Sequence, residues 1–147
     1  MFILSKFADR LKEQKSENGL NNTQLAKLLN INSGNVSRYV RGINSPDYKT
    51  FIAMLKIFNC SADYLLGLVD IPPDIESFYD PLPFGERLRT VLKEYGKSQY
   101  YLEQEKNYSP SLVYDWLNGN KLPNPASLAK LAEDLDCKAD YLLGRIR

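Results

Sequence analysis

The sequence predicts an all-α chain built from two tandem five-helix units that a proline-rich linker joins. Apolar residues recur at helical spacings of three and four, and no segment shows convincing period-two alternation. The segment Cys60–Gly67 returns almost unchanged as Cys137–Gly144, 77 residues later. At that offset 17 of 61 positions are identical without a gap, where roughly four are expected from typical composition. A repeat of this length indicates that a whole folding unit is present twice.

Capping residues and stop signals divide the first copy into five predicted helices. Ser5 can cap the first helix, which ends near Gly19, and Asn32 or Ser33 can cap the third. Ser61 can cap the short final helix. Spacings of three and four mark the inward faces of the other helices: Leu25, Leu28 and Leu29 in the second, and positions 51, 54, 55 and 58 in the fourth.

The second and third predicted helices, about 23–29 and 33–41, are short and are joined by a tight turn, which is the helix-turn-helix arrangement. This arrangement needs a small residue where the helices cross, an unusual backbone at the turn, and a branched apolar residue facing the core. Ala26, Asn30 and Val36 fill these three roles, since asparagine tolerates the left-handed conformation.

The segment between the copies is predicted to be a linker. Residues 68–83 contain four of the eight prolines and four acids but no basic residue, and proline blocks helix continuation. Four apolar residues favour partial packing of the linker on a domain: Ile71, Ile75, Phe78 and Tyr79. The predicted boundaries are an N-terminal helix-turn-helix domain at 1–68, an acidic proline-rich linker at 69–83, and a second, diverged helix-turn-helix domain at 84–147.

The composition disfavours an enzyme and predicts neither a cofactor nor a metal. The chain has no histidine, the commonest general base and metal ligand. Its two cysteines, Cys60 and Cys137, form no disulfide framework and are predicted to pack in the interior. No apolar run approaches the roughly 20 residues of a membrane span. The first residues lack the charged start of a secretory leader, so a cytoplasmic, nucleoid-associated protein is expected.

The charge differs between the two halves of the chain. Residues 1–70 contain nine basic and six acidic residues, a net +3, and residues 71–147 contain ten and twelve, a net −2. An anionic partner is therefore expected to bind the first half.

The stretches Thr23-Gln24-Leu25-Ala26 and Asn30 to Arg38, followed by Arg41-Gly42 and Pro46, resemble the lambda-repressor-like, Cro-type helix-turn-helix family, also called the xenobiotic-response-element family. The repeated Ala-Asp-Tyr-Leu-Leu-Gly is also similar to that family. One residue departs from the family pattern: this chain has Asn30 where the family usually has glycine. The resemblance implies a prokaryotic or phage transcriptional regulator, a repressor before an activator. Its partner would be double-stranded DNA, with recognition helix 33–41 in the major groove.

The resemblance also implies which residues contact DNA. Asn35 would read adenine, and Arg38 would reach guanine or a phosphate. The start of the preceding helix would hold a phosphate, and residues after the recognition helix would border the opposite phosphates. The expected DNA-binding set is Asn22, Thr23, Gln24, Ser33, Gly34, Asn35, Ser37, Arg38, Arg41, Asn44 and Lys49.

The second copy departs from this pattern on its reading face. Leu112 and Asp115 stand where the first copy has Asn35 and Arg38, and an acid there repels phosphate. The second copy is therefore expected to bind DNA more weakly, with exposed residues better suited to protein contact. The candidate protein-contact residues are Tyr100, Tyr101, Leu112 and Tyr114.

Two architectures are compatible with this unequal pair. In the favoured one, the second copy dimerises the chain and two first copies read a palindrome. In the other, both copies bind one duplex as a covalent pseudo-dimer. A different class of function is also open, in which the fold serves as a protein-interaction adaptor or antitoxin-like module with a regulatory protein partner.

Overall fold

The computed structural model describes residues 5–147, and within this range all regular secondary structure is α-helical, with no strand. The first copy contains α1 (Phe7–Glu17), α2 (Asn22–Leu29), α3 (Ser33–Val40), α4 (Tyr48–Phe58) and α5 (Ala62–Leu65). The second contains α6 (Phe84–Glu94), α7 (Gln99–Gln104), α8 (Pro110–Leu117), α9 (Pro125–Asp134) and α10 (Ala139–Leu143). The all-α prediction is confirmed. The prediction about a leader falls partly on residues 1–4, which lie outside the described residues.

Side-chain caps begin most helices of the first copy. Asn32 accepts from the Gly34 backbone N–H at 2.7 Å, and Ser61 accepts from that of Tyr64 at 3.2 Å. The predicted Ser5 cap is wrong, because α1 begins after Lys6 and no side chain caps it. Since Ser5 lies one residue too early, its hydroxyl does not serve the first free N–H groups of the helix.

The interior of the first copy follows the predicted pattern with one exception. Leu11, Leu25, Val36 and Phe51 are completely buried. Leu28 is 57% exposed, so the prediction that it shares the inward face of α2 is wrong. α2 contacts α3 most extensively, and a short helix packed mainly on one neighbour leaves only a narrow inward stripe.

An aromatic cluster fills the corresponding space in the second copy. Trp116 packs edge to face against Phe84 and Tyr108, with ring centroids 6.4 and 5.9 Å apart. Tyr48 of the first copy packs against the same Phe84 at 6.1 Å. The two cores therefore meet, and the copies pack directly against each other.

The linker lies against both copies over part of its length. Tyr79 and Leu82 donate backbone N–H groups to the carbonyls of Arg145 and Leu143, and Asn59 donates to the Glu76 carbonyl at 2.7 Å. Ile75 and Phe78 are half-buried, as expected. Ile71 is 79% exposed, so the expected packing does not extend to its side chain. Tyr79 is 54% exposed, and the Arg147 guanidinium lies 4.0 Å from the centroid of its ring.

A reciprocal pair of aspartates joins the copies. The Asp63 carboxylate accepts from the backbone N–H groups of Ala139 and Asp140 at 2.7 and 3.1 Å. The Asp140 carboxylate accepts from those of Ala62 and Asp63 at 3.0 and 3.5 Å. Each acid lies 77 residues from the other, so equivalent groups exchange equivalent bonds, as across a two-fold axis.

The pair is electrostatically unequal. Asp140 forms a buried ion pair with Arg145 at 2.5 Å, whereas the position equivalent to Arg145 in the first copy is Leu68. Burial raises the pKa of Asp63 to about 6, although the two backbone donors oppose this shift.

Candidate nucleic-acid interface

A reciprocal capping box forms the start of α2. The Gln24 backbone N–H donates to Asn21 Oδ1 at 2.8 Å, and the Asn21 N–H donates to Gln24 Oε1 at 2.9 Å. The capping box occupies the side-chain oxygen Oε1 of Gln24, so the side-chain N–H₂ group of this exposed residue is left as a donor beside Thr23. Asn22 is half-buried and accepts a hydrogen bond from the Lys15 ammonium, whose pKa is lowered by burial and by Lys12.

The turn between α2 and α3 depends on Asn30, which adopts the left-handed conformation with φ of 57°, as predicted. The second copy repeats this turn at Asn107, with φ of 61°. Ala26 is 3% exposed and Val36 is fully buried, so the crossing of the two helices is tightly packed. This packing determines which side of α3 faces outward.

The outward side of α3 contains the predicted reading residues. Ser33 is exposed, and Gly34, Asn35, Ser37 and Arg38 are half-buried. Arg38 Nη2 donates to Asn35 Oδ1 at 2.6 Å. The guanidinium therefore folds back toward the helix start, and a Cβ added at Gly34 would lie 3.6 Å from it. The structure thus brings an amide and a guanidinium together on one face.

Three predicted phosphate contacts lie beyond α3 and are all exposed. Arg41 donates through Nε to the Ser37 carbonyl at 3.3 Å. Asn44 lies in the following loop, and Lys49 lies in the first turn of α4. Neither Arg41 nor Lys49 has a carboxylate within 4.0 Å among the described residues.

The four candidate protein-contact residues of the second copy divide into two pairs. Tyr100 and Tyr114 are 68% and 56% exposed. Tyr101 and Leu112 are half-buried against the core, and Tyr101 donates to the Asp134 carbonyl at 3.4 Å. Only Tyr100 and Tyr114 therefore present their rings largely to solvent.

Two features of the second copy were not predicted from the sequence. One is the reciprocal pair Asp63 and Asp140, whose signal was the acid inside the repeated Ala-Asp-Tyr-Leu-Leu-Gly. The other is a row of exposed cations: Arg89, Lys93 and Lys97. Arg89 and Lys93 are four residues apart in α6, a spacing that places side chains on one helix face, and this spacing could have shown the start of the row.

The described residues offer little for other site chemistry. Over residues 5–147 no group of three or more Cys, Asp or Glu side chains is arranged to hold a metal ion. Burial raises the pKa of the Cys60 thiol to about 12 and that of Cys137 to about 11. None of the helices described is both long and apolar enough to cross a bilayer.

The tight turn, the capped helices and the polar outer face of α3 define a helix-turn-helix protein. The helix-turn-helix family model matches the chain twice, over residues 11–65 and 88–142. The chain therefore belongs to the Cro/C1-type helix-turn-helix family.

One relative shares a single stretch with this chain. The HTH-type transcriptional regulator ImmR of Bacillus subtilis (strain 168) is 40% identical over 58 residues. The shared stretch covers 40% of this chain and 46% of that protein, so the chain matches less than half the length of this relative. No solved structure gives a significant match.

Proposed function

We propose that the protein is a sequence-specific double-stranded DNA-binding transcriptional regulator, acting as a repressor in the cytoplasm, and that α3 enters the major groove. One observation carries this proposal: α3 buries Val36 and Val40 while Asn35 and Arg38 face outward, joined by a 2.6 Å hydrogen bond. Arginine pairs with guanine and asparagine with adenine through two bonds each. Repression follows most simply, because it requires only that the operator be occupied.

The surrounding surface supports phosphate contact on both sides of α3. The start of α2 presents the Thr23 side chain, the Gln24 amide and free backbone donors, a combination suited to an anion. Arg41, Asn44 and Lys49 provide donors on the other side. These contacts would orient the domain, while the side chains of α3 would select the sequence.

The test begins with selection of duplexes from a random pool by the full chain, followed by titration of the selected site with variants. Arg38→Ala and Asn35→Ala should each lower affinity by about 5- to 150-fold, the loss of one base contact worth about 1–3 kcal/mol. Arg147→Ala, at an exposed arginine in the second copy, is the matched control and should bind as wild type.

Circular dichroism separates loss of contact from loss of fold. The α3 variants should keep the helical spectrum and melting temperature of the wild type. If both bind the selected site as tightly as wild type, the reading face is misassigned; if the full chain selects no sequence, the proposed function is wrong.

A protein-interaction adaptor is the second candidate function. The observation that favours it is the exposure of the Tyr100 and Tyr114 rings, since aromatic side chains are enriched at protein interfaces. A partner complex that forms without DNA, withstands high salt and is weakened by Tyr100→Ser/Tyr114→Ser would support it.

Homodimerisation through the second copy also remains a prediction. Because α5 and α10 pack on each other within one chain, a homodimer would use another surface. Two first copies would then read half-sites about 34 Å apart. Mass measurement in solution and on the selected duplex distinguishes one chain from two.

A further inference from the structure

A row of exposed cations lies along one edge of the second copy. Arg89 and Lys93 are in α6, and Lys97 follows four residues later. They line a cleft of about 340 Å³ together with Ser98 and Gln99. On a helix, residues four apart are separated by about 6 Å along the axis, so the first two charges lie on one face.

These cations are available for a partner. None of the three has a carboxylate within 4.0 Å anywhere in residues 5–147. Arg89 Nη2 donates weakly to the Leu117 carbonyl and to Asn118 Oδ1, at 3.3 and 3.4 Å. Lys97 lies 4.3 Å above the Tyr101 ring. The positive charges are therefore positioned but not neutralised.

The row is specific to the second copy. The equivalent positions of the first copy are Lys12, Ser16 and Leu20, with a single cation. Ser98 and Gln99 correspond to Asn21 and Asn22, where the first copy is proposed to face a phosphate. At these three positions the second copy therefore has two more cations than the first.

Asp115, the acid on the outer face of α8 in the second copy, should repel DNA phosphate less than the sequence suggested. Asp115 forms an ion pair with Lys121 at 3.6 Å and accepts from Asn120 Nδ2 at 3.3 Å. Lys121 stands where the first copy has Asn44. The negative charge of Asp115 is therefore partly compensated within the second copy.

The loops that follow the two helix-turn-helix motifs both lie at the boundary between the copies. The loop after α3 shares a cleft with Ala126 of α9. The loop after α8, through Leu122, shares a cleft with Tyr48 and Lys49 of α4. In each cleft a loop of one copy meets a helix of the other, and this reciprocal arrangement agrees with the reciprocal bonds of Asp63 and Asp140. A pair of helix-turn-helix motifs related by such a two-fold axis matches the symmetry of a DNA duplex.

From these observations we propose that the second copy is a sequence-independent clamp: Arg89, Lys93 and Lys97 bind backbone phosphates of the duplex that α3 reads. The inference rests on the proposed function of the first copy and adds a second contact within the same chain. Leu112 and Asp115 leave the second copy without the base-reading pair, so its contribution is affinity and salt dependence, with no effect on sequence preference.

The test is the salt dependence of binding to the selected duplex by the full chain and by Arg89→Gln/Lys93→Gln/Lys97→Gln. Three phosphate contacts contribute a slope of about −2.7 to log K against log salt. Between 50 and 200 mM salt, the wild type should therefore lose about 40-fold more affinity than the variant. The preferred sequence should be the same for both proteins.

A charge-matched variant provides the control. Lys56→Gln/Lys138→Gln/Arg147→Gln removes the same charge elsewhere on the chain and should keep a slope close to the wild type. Equal slopes for the cluster variant and the wild type would overturn the clamp, as would equal reductions in both triple variants. Loss of binding in Arg38→Ala with an unchanged slope in the cluster variant would refute the clamp while leaving the proposed function intact.

Discussion

Removal of the Asp140 carboxylate tests how the two copies are held together. The group is almost completely buried, at 1% residue exposure. It accepts from Ser61 Oγ at 2.7 Å, from the Ala62 N–H at 3.0 Å and from Arg145 Nη1 at 2.5 Å. Asp140→Ala therefore leaves a buried guanidinium without a counter-charge and the donors of Ser61, Ala62 and Asp63 without their acceptor.

The expected loss is about 3 kcal/mol, the lower end of the range for breaking a buried ion pair. The lower end applies because Arg145 keeps its 3.0 Å bond to the Cys60 carbonyl. With a urea dependence of about 2–3 kcal/mol per molar, the unfolding midpoint should fall by about 1–1.5 M.

Two spectroscopic probes show where the destabilisation acts. Trp116 is the single tryptophan, so its fluorescence reports the second copy, whereas circular dichroism reports both copies. In the wild type the two transitions should coincide because the copies share an interface. In Asp140→Ala they should separate, since each copy then unfolds more independently.

Two further variants control this experiment. Asp9→Ala removes an exposed acid of α1 and should change stability by less than about 0.5 kcal/mol. Asp140→Ala/Arg145→Met removes both charges and should recover part of the loss. Coincident transitions in Asp140→Ala, at the wild-type midpoint, would refute the reasoning.

Three further predictions concern the turn, the interface and the thiols. Asn30→Ala should lower the free energy of unfolding by about 1–2 kcal/mol because of its positive φ, whereas Asn30→Gly should be near neutral; thermal denaturation distinguishes them. The folded-state pKa of Asp63 is raised from 3.8 to about 6. Between these two pH values the folded state therefore binds a proton at Asp63 that the unfolded state does not bind. The Asp63 contribution to stability should therefore increase as the pH falls from about 6 toward 4, and this increase should be absent in Asp63→Asn by urea titration. Since burial raises the pKa of both thiols, neither should react quickly with iodoacetamide at pH 7.5, and half-buried Cys137 should react before Cys60.

The sequence determined the local architecture because short-range chemistry decides it. Asn30 suits a left-handed turn, Val36 is branched and apolar, and Asn32 can accept from a free helix N–H. Each of these properties acts within a few residues, and the structure places all three residues as the pattern predicts. The family match at 11–65 and 88–142 follows from the same local signals.

Errors arose where a choice depended on neighbours distant in the chain. Leu28 has the right spacing for the inward face of α2, but it is 57% exposed. The Ser5 error was local: the residue has the right chemistry for a cap, but α1 begins after Lys6. For Tyr101 and Leu112 the sequence did not show that both are half-buried in their own copy, and their contact with a protein partner stays a prediction.

The sequence by itself determined the repeat, the helix-turn-helix and which polar residues lie on the outer side of α3, because these depend on composition and on spacing along one chain. Only the tertiary structure decided how the copies meet. Asp63 and Asp140 lie 77 residues apart, and no periodicity relates a carboxylate to backbone donors at that separation. Burial makes each such donor and acceptor require a partner, and here each copy provides the partners of the other.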